Sequence, residues 1–220
     1  MEISTNMKRA YFVTGTDTNV GKTWATLALM SHFKKQNLTV LGMKPVASGC
    51  EKISDEWKND DALVIQKNGS FEVDYKIINP FSYEKPISPH LAGKENPANF
   101  DVILDCFTRL QNLADVVIVE GAGGFFVPLN EKETIADLAK KLDLPIILVV
   151  SIKLGCINHA LLTQQAIENS GLNCVGWLAV CNDASFDCID LTLESVKKRL
   201  NAPLLGIFAH NQKQTEILLD

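Results

Sequence analysis

A short apolar segment that runs into a loop containing glycine and lysine is the feature that most constrains the fold of this chain. Residues 11–13 (YFV) have the aromatic and β-branched side chains typical of a buried strand, and the loop GTDTNVGKT follows at residues 15–23. Apolar residues at helical spacing come next, in residues 24–30. A strand, loop and helix in this order surround phosphate oxygens with backbone N–H groups and a helix N-terminus.

The loop departs from the common spacing, because five residues separate Gly15 from Gly21 where the usual pattern has four. The alternative interpretation is a plain turn between a strand and a helix. The Gly-Lys-Thr sequence at a helix start favours nucleotide binding, with Lys22 neutralising the β- and γ-phosphates and the Thr23 hydroxyl ligating Mg²⁺.

Alternating strands and helices predict an α/β fold with a mostly parallel sheet and helices on both faces. The predicted buried strands are residues 11–14, 39–43, 116–119, 146–150, 175–180 and 204–208. Helical spacing of apolar residues is clear around residues 103–113, and Thr134 reads as the cap of a helix that ends before Pro145. We expect one P-loop domain over residues 1–220, elaborated by an irregular stretch at about 50–97 with one short helix at 60–67.

Charge and composition exclude several classes of protein. The 21 Lys and Arg residues against 26 Asp and Glu residues give a formal net charge of −5, which disfavours nucleic-acid binding. No apolar run approaches the roughly 18 to 20 residues that span a bilayer, so no membrane association is expected. The N-terminal sequence lacks the apolar segment of a signal peptide, which predicts a cytoplasmic protein. The six cysteines form no CxxC pair, which predicts reduced thiols and disfavours structural zinc.

Acidic and basic residues directly after predicted strands or at a helix start are candidate site residues, since ligands of open α/β sheets bind at the carboxyl ends of the strands. Glu120 follows one strand and precedes Gly121, Ala122 and Gly123. Lys44 follows another strand. Asp61 lies at the start of the 60–67 helix, where a carboxylate also serves to complement the helix dipole, so capping and metal binding both remain open there.

Several longer blocks resemble the dethiobiotin synthetase family of biotin biosynthesis. These blocks, in chain order, are GTDTNVGKT, KPVASG, DAL, NPF, SPH, VEGAGG, ILVVSIKLGCINHALLT, CND and APLLG. The resemblance implies a homodimeric ligase, dependent on ATP and Mg²⁺, that closes a cyclic urea from 7,8-diaminopelargonic acid and CO₂ and releases ADP and phosphate. It also implies that the substrate site lies at the subunit interface.

The resemblance implies roles for individual residues at the phosphate end of the site. It assigns the metal to Thr23, Asp61 and Glu120. It assigns catalysis to Lys44, Lys22 and Thr18. The implied nucleotide-binding residues are Asn19, Val20, Gly21, Lys22, Thr23, Asp61, Glu120, Gly121, Ala122, Gly123, Asn182 and Asp183.

For the organic substrate, the resemblance places Ser48 near the carbamate. It also implies that a turn from the partner subunit holds the distal carboxylate, with Lys153, Leu154, Gly155, Cys156 and Asn158 as the binding residues. Cys156 is not expected to act as a nucleophile, because phosphoryl transfer to a carbamate needs no thiol.

Two other functions share the same motif. A nucleotide-dependent switch of the partitioning ATPase type would carry a second lysine early in the loop, where this chain has Asp17. A small-molecule kinase is the other alternative, since a fold alone does not give the function.

The C-terminal sequence departs from the family after Gly206 and reads Ile207-Phe208-Ala209-His210. Family members carry a segment there that reads the base, and a pocket that lacks hydrogen-bond partners discriminates poorly between ligands. We therefore predict comparable turnover with ATP, CTP and GTP, measured as phosphate release at saturating nucleotide. Activity with ATP alone would contradict this prediction.

Overall fold

The computed structural model describes residues 8–181, 186–209 and 216–219. The elements of this part of the chain are β1 (Arg9–Gly15), α1 (Lys22–Lys35), β2 (Val40–Met43), β3 (Val46–Ser48), β4 (Glu51–Ile53), β5 (Glu56–Lys58), α2 (Asp60–Lys67), α3 (Tyr75–Ile78), β6 (Phe81–Tyr83), α4 (Pro89–Ala92), α5 (Phe100–Leu113), β7 (Val116–Gly124), α6 (Ile135–Leu142), β8 (Ile146–Ser151), α7 (Cys156–Asn169), β9 (Cys174–Cys181), α8 (Ile189–Lys197) and β10 (Leu204–Ala209).

A six-stranded parallel sheet forms the centre of the fold, in the order β10-β9-β8-β1-β7-β2. Its strands are the six that the sequence predicts, each within two residues at its start. β7, however, continues to Gly124 and not only to Val119, so Glu120 and residues 121–123 lie within the strand and not after it. β1 and β8 are buried along almost their whole length, which explains why they read as continuous apolar runs. The predicted α/β class with a mostly parallel sheet is confirmed.

The strand order places the carboxyl ends of β1, β2 and β7 side by side. β1 lies between β7 and β8, so the chain first moves outward from β1 to β2 and then returns across the sheet. Right-handed crossovers in these opposite directions put α1 on one face and α6 and α7 on the other. The loops after β1, β2 and β7 therefore open into one crevice, where ligands of such sheets bind.

Two predicted helices begin at capping residues. The Asn59 side chain accepts a hydrogen bond from the Ala62 N–H at the start of α2, whose bounds are those predicted from the sequence. Thr134 and Asp137 form a capping box at the start of α6. These local bonds satisfy N–H groups that a helix start leaves without an intrahelical partner, and they fix where each chain segment enters its helix.

The region at residues 50–97 contains more regular structure than the single helix expected. Beside α2 it holds the short helices α3 and α4 and the hairpin β4–β5, and its β6 pairs in parallel with β3. These elements span three or four residues each, which is too short for apolar periodicity to show in a sequence. Tertiary hydrogen bonds hold them instead, such as Phe81 N–H to the Pro45 carbonyl at 3.1 Å.

All six cysteines are free thiols, as expected, and four of them are buried. Within the described ranges, no helix is both long enough and apolar enough to cross a membrane.

Candidate active site

The loop between β1 and α1 turns back on itself over the helix N-terminus. Asn19 and Gly21 have positive φ values of 57° and 93°. A Cβ atom at Gly21 would also lie 2.9 Å from a Val180 methyl carbon, so glycine is required there by both conformation and space. Gly21 caps α1 without a side-chain hydrogen bond, which leaves the first N–H groups of the helix directed at the crevice.

Lys22 is buried at the start of α1, and its ammonium donates a hydrogen bond to the Asp17 carbonyl at 2.9 Å. This bond folds the lysine back over the loop. Burial lowers the pKa of Lys22 to about 8, although the nearby Glu120 carboxylate acts in the opposite direction. A buried cation stabilised so little by its surroundings is suited to binding an anion.

Lys44 lies between two carboxylates at the carboxyl edge of the sheet. Its ammonium is 2.7 Å from Glu120 Oε1 and 2.7 Å from Asp61 Oδ2. Lys44 is 6% exposed and Glu120 is 0% exposed. Burial alone would lower the pKa of Lys44, but the two carboxylates outweigh burial and raise it. Burial alone would raise the pKa of Asp61, and the Lys44 ammonium outweighs that effect and lowers it.

Glu120, Asp61 and Thr23, the residues that the family resemblance assigns to the metal, place side-chain oxygen atoms close together. The Thr23 hydroxyl donates to Glu120 Oε1 at 3.1 Å, so the predicted ligands from α1 and β7 are already in contact. The second oxygen, Glu120 Oε2, is buried and has no hydrogen-bond partner among the described residues. Hard oxygen donors that include such an unpaired carboxylate oxygen fit Mg²⁺, which takes few protein ligands and keeps waters and phosphate oxygens.

One cavity of about 840 Å³ brings most of the predicted phosphate-end residues together. The predicted residues that line it are Thr18, Asn19, Gly21, Lys22, Thr23, Lys44, Ser48, Asp61, Glu120, Ala122 and Gly123. The Ser48 hydroxyl oxygen is buried and has no hydrogen-bond partner in the described ranges, so it is available to a ligand. Val20 and Gly121 are buried and do not line the cavity.

The cavity wall also includes residues that were not singled out from the sequence. These residues are Trp24, Asn59, Pro86, Ile87, Ser88, Pro89 and Val127, with Ala47 and Gly49 beside Ser48. Ser88 and Pro89 belong to the SPH block, which carried the family resemblance but was given no role. The SPH block was therefore the one sequence signal that could have indicated this part of the cavity wall.

The predicted carboxylate-binding turn lies outside the cavity that contains the phosphate-end residues. Lys153, Leu154, Gly155 and Asn158 line a second cavity of about 440 Å³ and none of them lines the first. Leu154 is 89% exposed. Within one chain, the structure therefore does not bring this turn to the phosphate end.

Cys156 is buried at the start of α7, and burial raises the pKa of its thiol. A thiol with a raised pKa forms little thiolate, which agrees with the expectation that Cys156 is not a nucleophile. The predicted adenine-binding residues Asn182 and Asp183 lie outside the described residues.

The sheet order, the loop with Lys22 and Thr23, and the acidic residue Glu120 within β7 define the class of P-loop nucleotide-binding proteins. The family model described as an AAA domain matches residues 9–217. The ATP-dependent dethiobiotin synthetase BioD of Aromatoleum aromaticum is 45% identical over 204 residues, which cover 92% of this chain and 91% of that protein. The BioD 1 of Escherichia coli (strain K12) is 47% identical over 175 residues, which cover 79% of this chain and 78% of that protein. The chain belongs to the dethiobiotin synthetase family.

Solved structures resemble the chain in fold alone. The septum site-determining protein MinD from Pyrococcus horikoshii, complexed with Mg-ADP, matches with a TM-score of 0.57 at 13% identity, covering 92% of this chain and 82% of MinD. The signal recognition particle receptor FtsY from Elizabethkingia anophelis matches with a TM-score of 0.56 at 15% identity, covering 93% of this chain and 60% of FtsY.

Removing Lys44 is expected to destabilise the protein without ligands. Lys44→Ala leaves the Glu120 carboxylate buried and without its nearest cation, so we predict a loss of about 3 kcal/mol in the free energy of unfolding, measured by urea titration. The matched control is Lys52→Ala, which breaks the exposed pair Lys52–Asp55 and should cost less than about 1 kcal/mol. Equal losses in the two variants would contradict the importance of the buried pairs.

Proposed function

We propose that this chain is an ATP-dependent dethiobiotin synthetase, which closes the ureido ring of dethiobiotin from 7,8-diaminopelargonic acid and CO₂. Membership of the family supports the proposal. The single structural observation that carries it is the convergence of Lys22 and Lys44 with Glu120 and Asp61 at one end of a cavity. We propose residues 1–220 as one ligase domain.

The reaction joins two negatively charged partners. A substrate amine takes up CO₂ as a carbamate, and a carbamate oxygen then attacks the γ-phosphorus, which releases ADP and forms a carbamic-phosphoric anhydride. The second amine attacks the carbamate carbon, loses a proton and displaces inorganic phosphate, which closes the ring. The protein must therefore offset the repulsion between carbamate and triphosphate.

The residues of the site are suited to this task in different ways. N–H groups of the loop over Asn19, Val20, Gly21 and Thr23 surround the phosphates, and the Lys22 ammonium neutralises their charge. Lys44 and Thr18 act at the carbamate and the transferring phosphoryl group. Ala122 and Gly123, the small residues near the end of β7 that line the cavity, would let the backbone approach the nucleotide closely.

Thr23, Asp61 and Glu120 would hold Mg²⁺, which when bound neutralises phosphate charge and orients the phosphoryl group. Lys44 is within hydrogen-bond distance of both carboxylates. Its position therefore couples the metal ligands to the reacting groups.

We propose a homodimer in which the turn at Lys153, Leu154, Gly155, Cys156 and Asn158 completes the substrate site of the partner. The separation of this turn from the phosphate-end cavity supports the arrangement, because one chain alone does not supply both ends. The Cys156 N–H donates to the Lys153 carbonyl at 3.1 Å, and the N–H groups that follow it in the first turn of α7 are suited to a carboxylate. Ser48, whose hydroxyl has no hydrogen-bond partner in the described ranges, would lie near the carbamate.

The nucleotide-dependent switch is the second candidate, because the fold of MinD is similar. That likeness extends to the fold alone. The loop has Asp17 where a partitioning ATPase carries its second lysine, and a switch gives no role to the buried Lys44 between two carboxylates.

The deciding experiment follows phosphate release by the purified protein with ATP, Mg²⁺ and bicarbonate, with and without 7,8-diaminopelargonate, and detects dethiobiotin by mass. We expect phosphate and dethiobiotin to form in equal amounts and only with the diamine. ATP hydrolysis at the same rate with and without the diamine, and with no new product, would contradict this proposal and favour the nucleotide-dependent switch. A stable phosphorylated product would indicate a kinase.

Glu120→Gln is predicted to raise the Mg²⁺ concentration for half-maximal activity roughly tenfold or more, because one anionic ligand becomes neutral while its size is kept. A magnesium titration at saturating ATP measures this. The control is Glu131→Gln, an exposed carboxyl outside the cavity, which should titrate like the wild type. An unchanged titration for Glu120→Gln would remove Glu120 from the metal site.

A further inference from the structure

The backbone of Lys44 is held by the end of α3 and not by the central sheet. β2 ends at Met43, and the next residue after Lys44 is Pro45, which has no N–H to donate. The Lys44 N–H donates to the Ile78 carbonyl at 2.9 Å. The Lys44 carbonyl accepts from Asn79 Nδ2 at 2.6 Å. Ile78 and Asn79 therefore determine where the Lys44 side chain begins.

Asn79 is a fully hydrogen-bonded side chain inside the protein, with 2% of its surface exposed. Nδ2 also approaches the Phe81 carbonyl at 3.4 Å, and Oδ1 accepts from the hydroxyls of Tyr75 at 2.8 Å and Ser82 at 2.6 Å. Two carbonyls on one side can only accept, so the amide has one orientation. Asn79 does not line the cavity and makes no contact there itself.

The same network reaches the helix that carries Asp61. The Tyr75 hydroxyl, while donating to Asn79, accepts from the Asn59 N–H at 2.8 Å. Asn59 is the N-cap of α2, and Asp61 is the second residue of that helix. The network thus connects the backbone of Lys44, through Asn79 and Tyr75, to the start of α2.

We propose that Asn79 is a positioning residue of the ligase reaction. Together with Tyr75, it fixes the backbone of Lys44 relative to the N-terminus of α2 and so holds the Lys44 ammonium against Asp61 and Glu120. This inference rests on the proposed function, since it assigns Lys44 to the transition state. A network of satisfied buried hydrogen bonds has the rigidity that such positioning needs.

A positioning role predicts a specific kinetic signature. The loop that binds the phosphates is not part of the network, so ATP binding should survive the loss of Asn79. Misplacement of Lys44 should lower kcat, because an error of about 1 Å in a reacting group can cost roughly 100-fold in rate. A merely structural role would lower thermal stability and leave the kcat of the folded enzyme unchanged.

The test uses Asn79→Ala, measured with the dethiobiotin assay at a temperature where the variant is folded. We expect kcat to fall roughly 10- to 100-fold while KM for ATP changes less than about threefold. The matched control is Asn99→Ala, which removes the N-cap of α5 and lowers stability away from the site. A kcat for Asn79→Ala as high as that of the control, or a change in KM alone, would overturn the proposal.

A double variant asks whether Asn79 acts through Lys44. Lys44→Ala removes the ammonium, so adding Asn79→Ala should lower kcat no further. A further fall of the same size as in the wild-type background would show an independent effect and overturn the proposal.

If Asn79→Ala does not fold, the Tyr75→Phe variant tests the positioning role instead. It removes one hydroxyl and should lower kcat roughly three- to tenfold with KM for ATP kept, and unchanged kcat would overturn the proposal on its own. Wild-type enzyme is run beside every variant. Absence of dethiobiotin from wild type would mean that the proposed function has failed, whereas an active wild type with unaffected variants would mean that only the positioning role has failed.

Discussion

The ammonium of Lys44, buried between the carboxylates of Glu120 and Asp61, is the interaction on which the arrangement of this end of the molecule depends. It joins the residue after β2, the middle of β7 and the start of α2. Burial of the Lys44 or the Glu120 charge alone would be costly, and each offsets that cost for the other, with the half-exposed Asp61 carboxylate as a second partner of Lys44. The surrounding backbone must therefore bring β7 and α2 together so that a carboxylate from each lies 2.7 Å from the Lys44 nitrogen atom.

The strands and the helix that carry Lys44, Glu120 and Asp61 were predictable from the sequence because their sequence signals are local. The strands of the central sheet are continuous apolar runs, and α2 begins after a capping asparagine and carries Asp60 and Asp61 in its first turn. The carboxyl ends of parallel strands share one edge, which pointed to Glu120 as a site residue beside the phosphate loop. For Lys44, a solvated surface lysine was the alternative, and its role rested on the family resemblance. The family resemblance added Asp61, for which capping alone was an equally good explanation.

Other features depend on tertiary contacts and were not visible in the sequence. The pairing of β3 with β6 joins segments more than 30 residues apart, each only three residues long. Asn79 entered the sequence analysis only as part of the NPF block, and its bonds to Lys44 and Tyr75 exist only once α3 has packed against β2. The wall formed by Trp24, Pro86 and Val127 likewise comes from three distant parts of the chain.

The two lysines of the site differ in a way that fits the proposed metal ion. Burial dominates at Lys22 and lowers its pKa to about 8, whereas two carboxylates in direct contact raise the pKa of Lys44. The two ammonium charges and the charges of Glu120 and Asp61 sum to zero. A triphosphate bound here would therefore bring its negative charge into a site with no net charge to offset it. A divalent cation held by the proposed ligands Glu120, Asp61 and Thr23 would supply the missing positive charge.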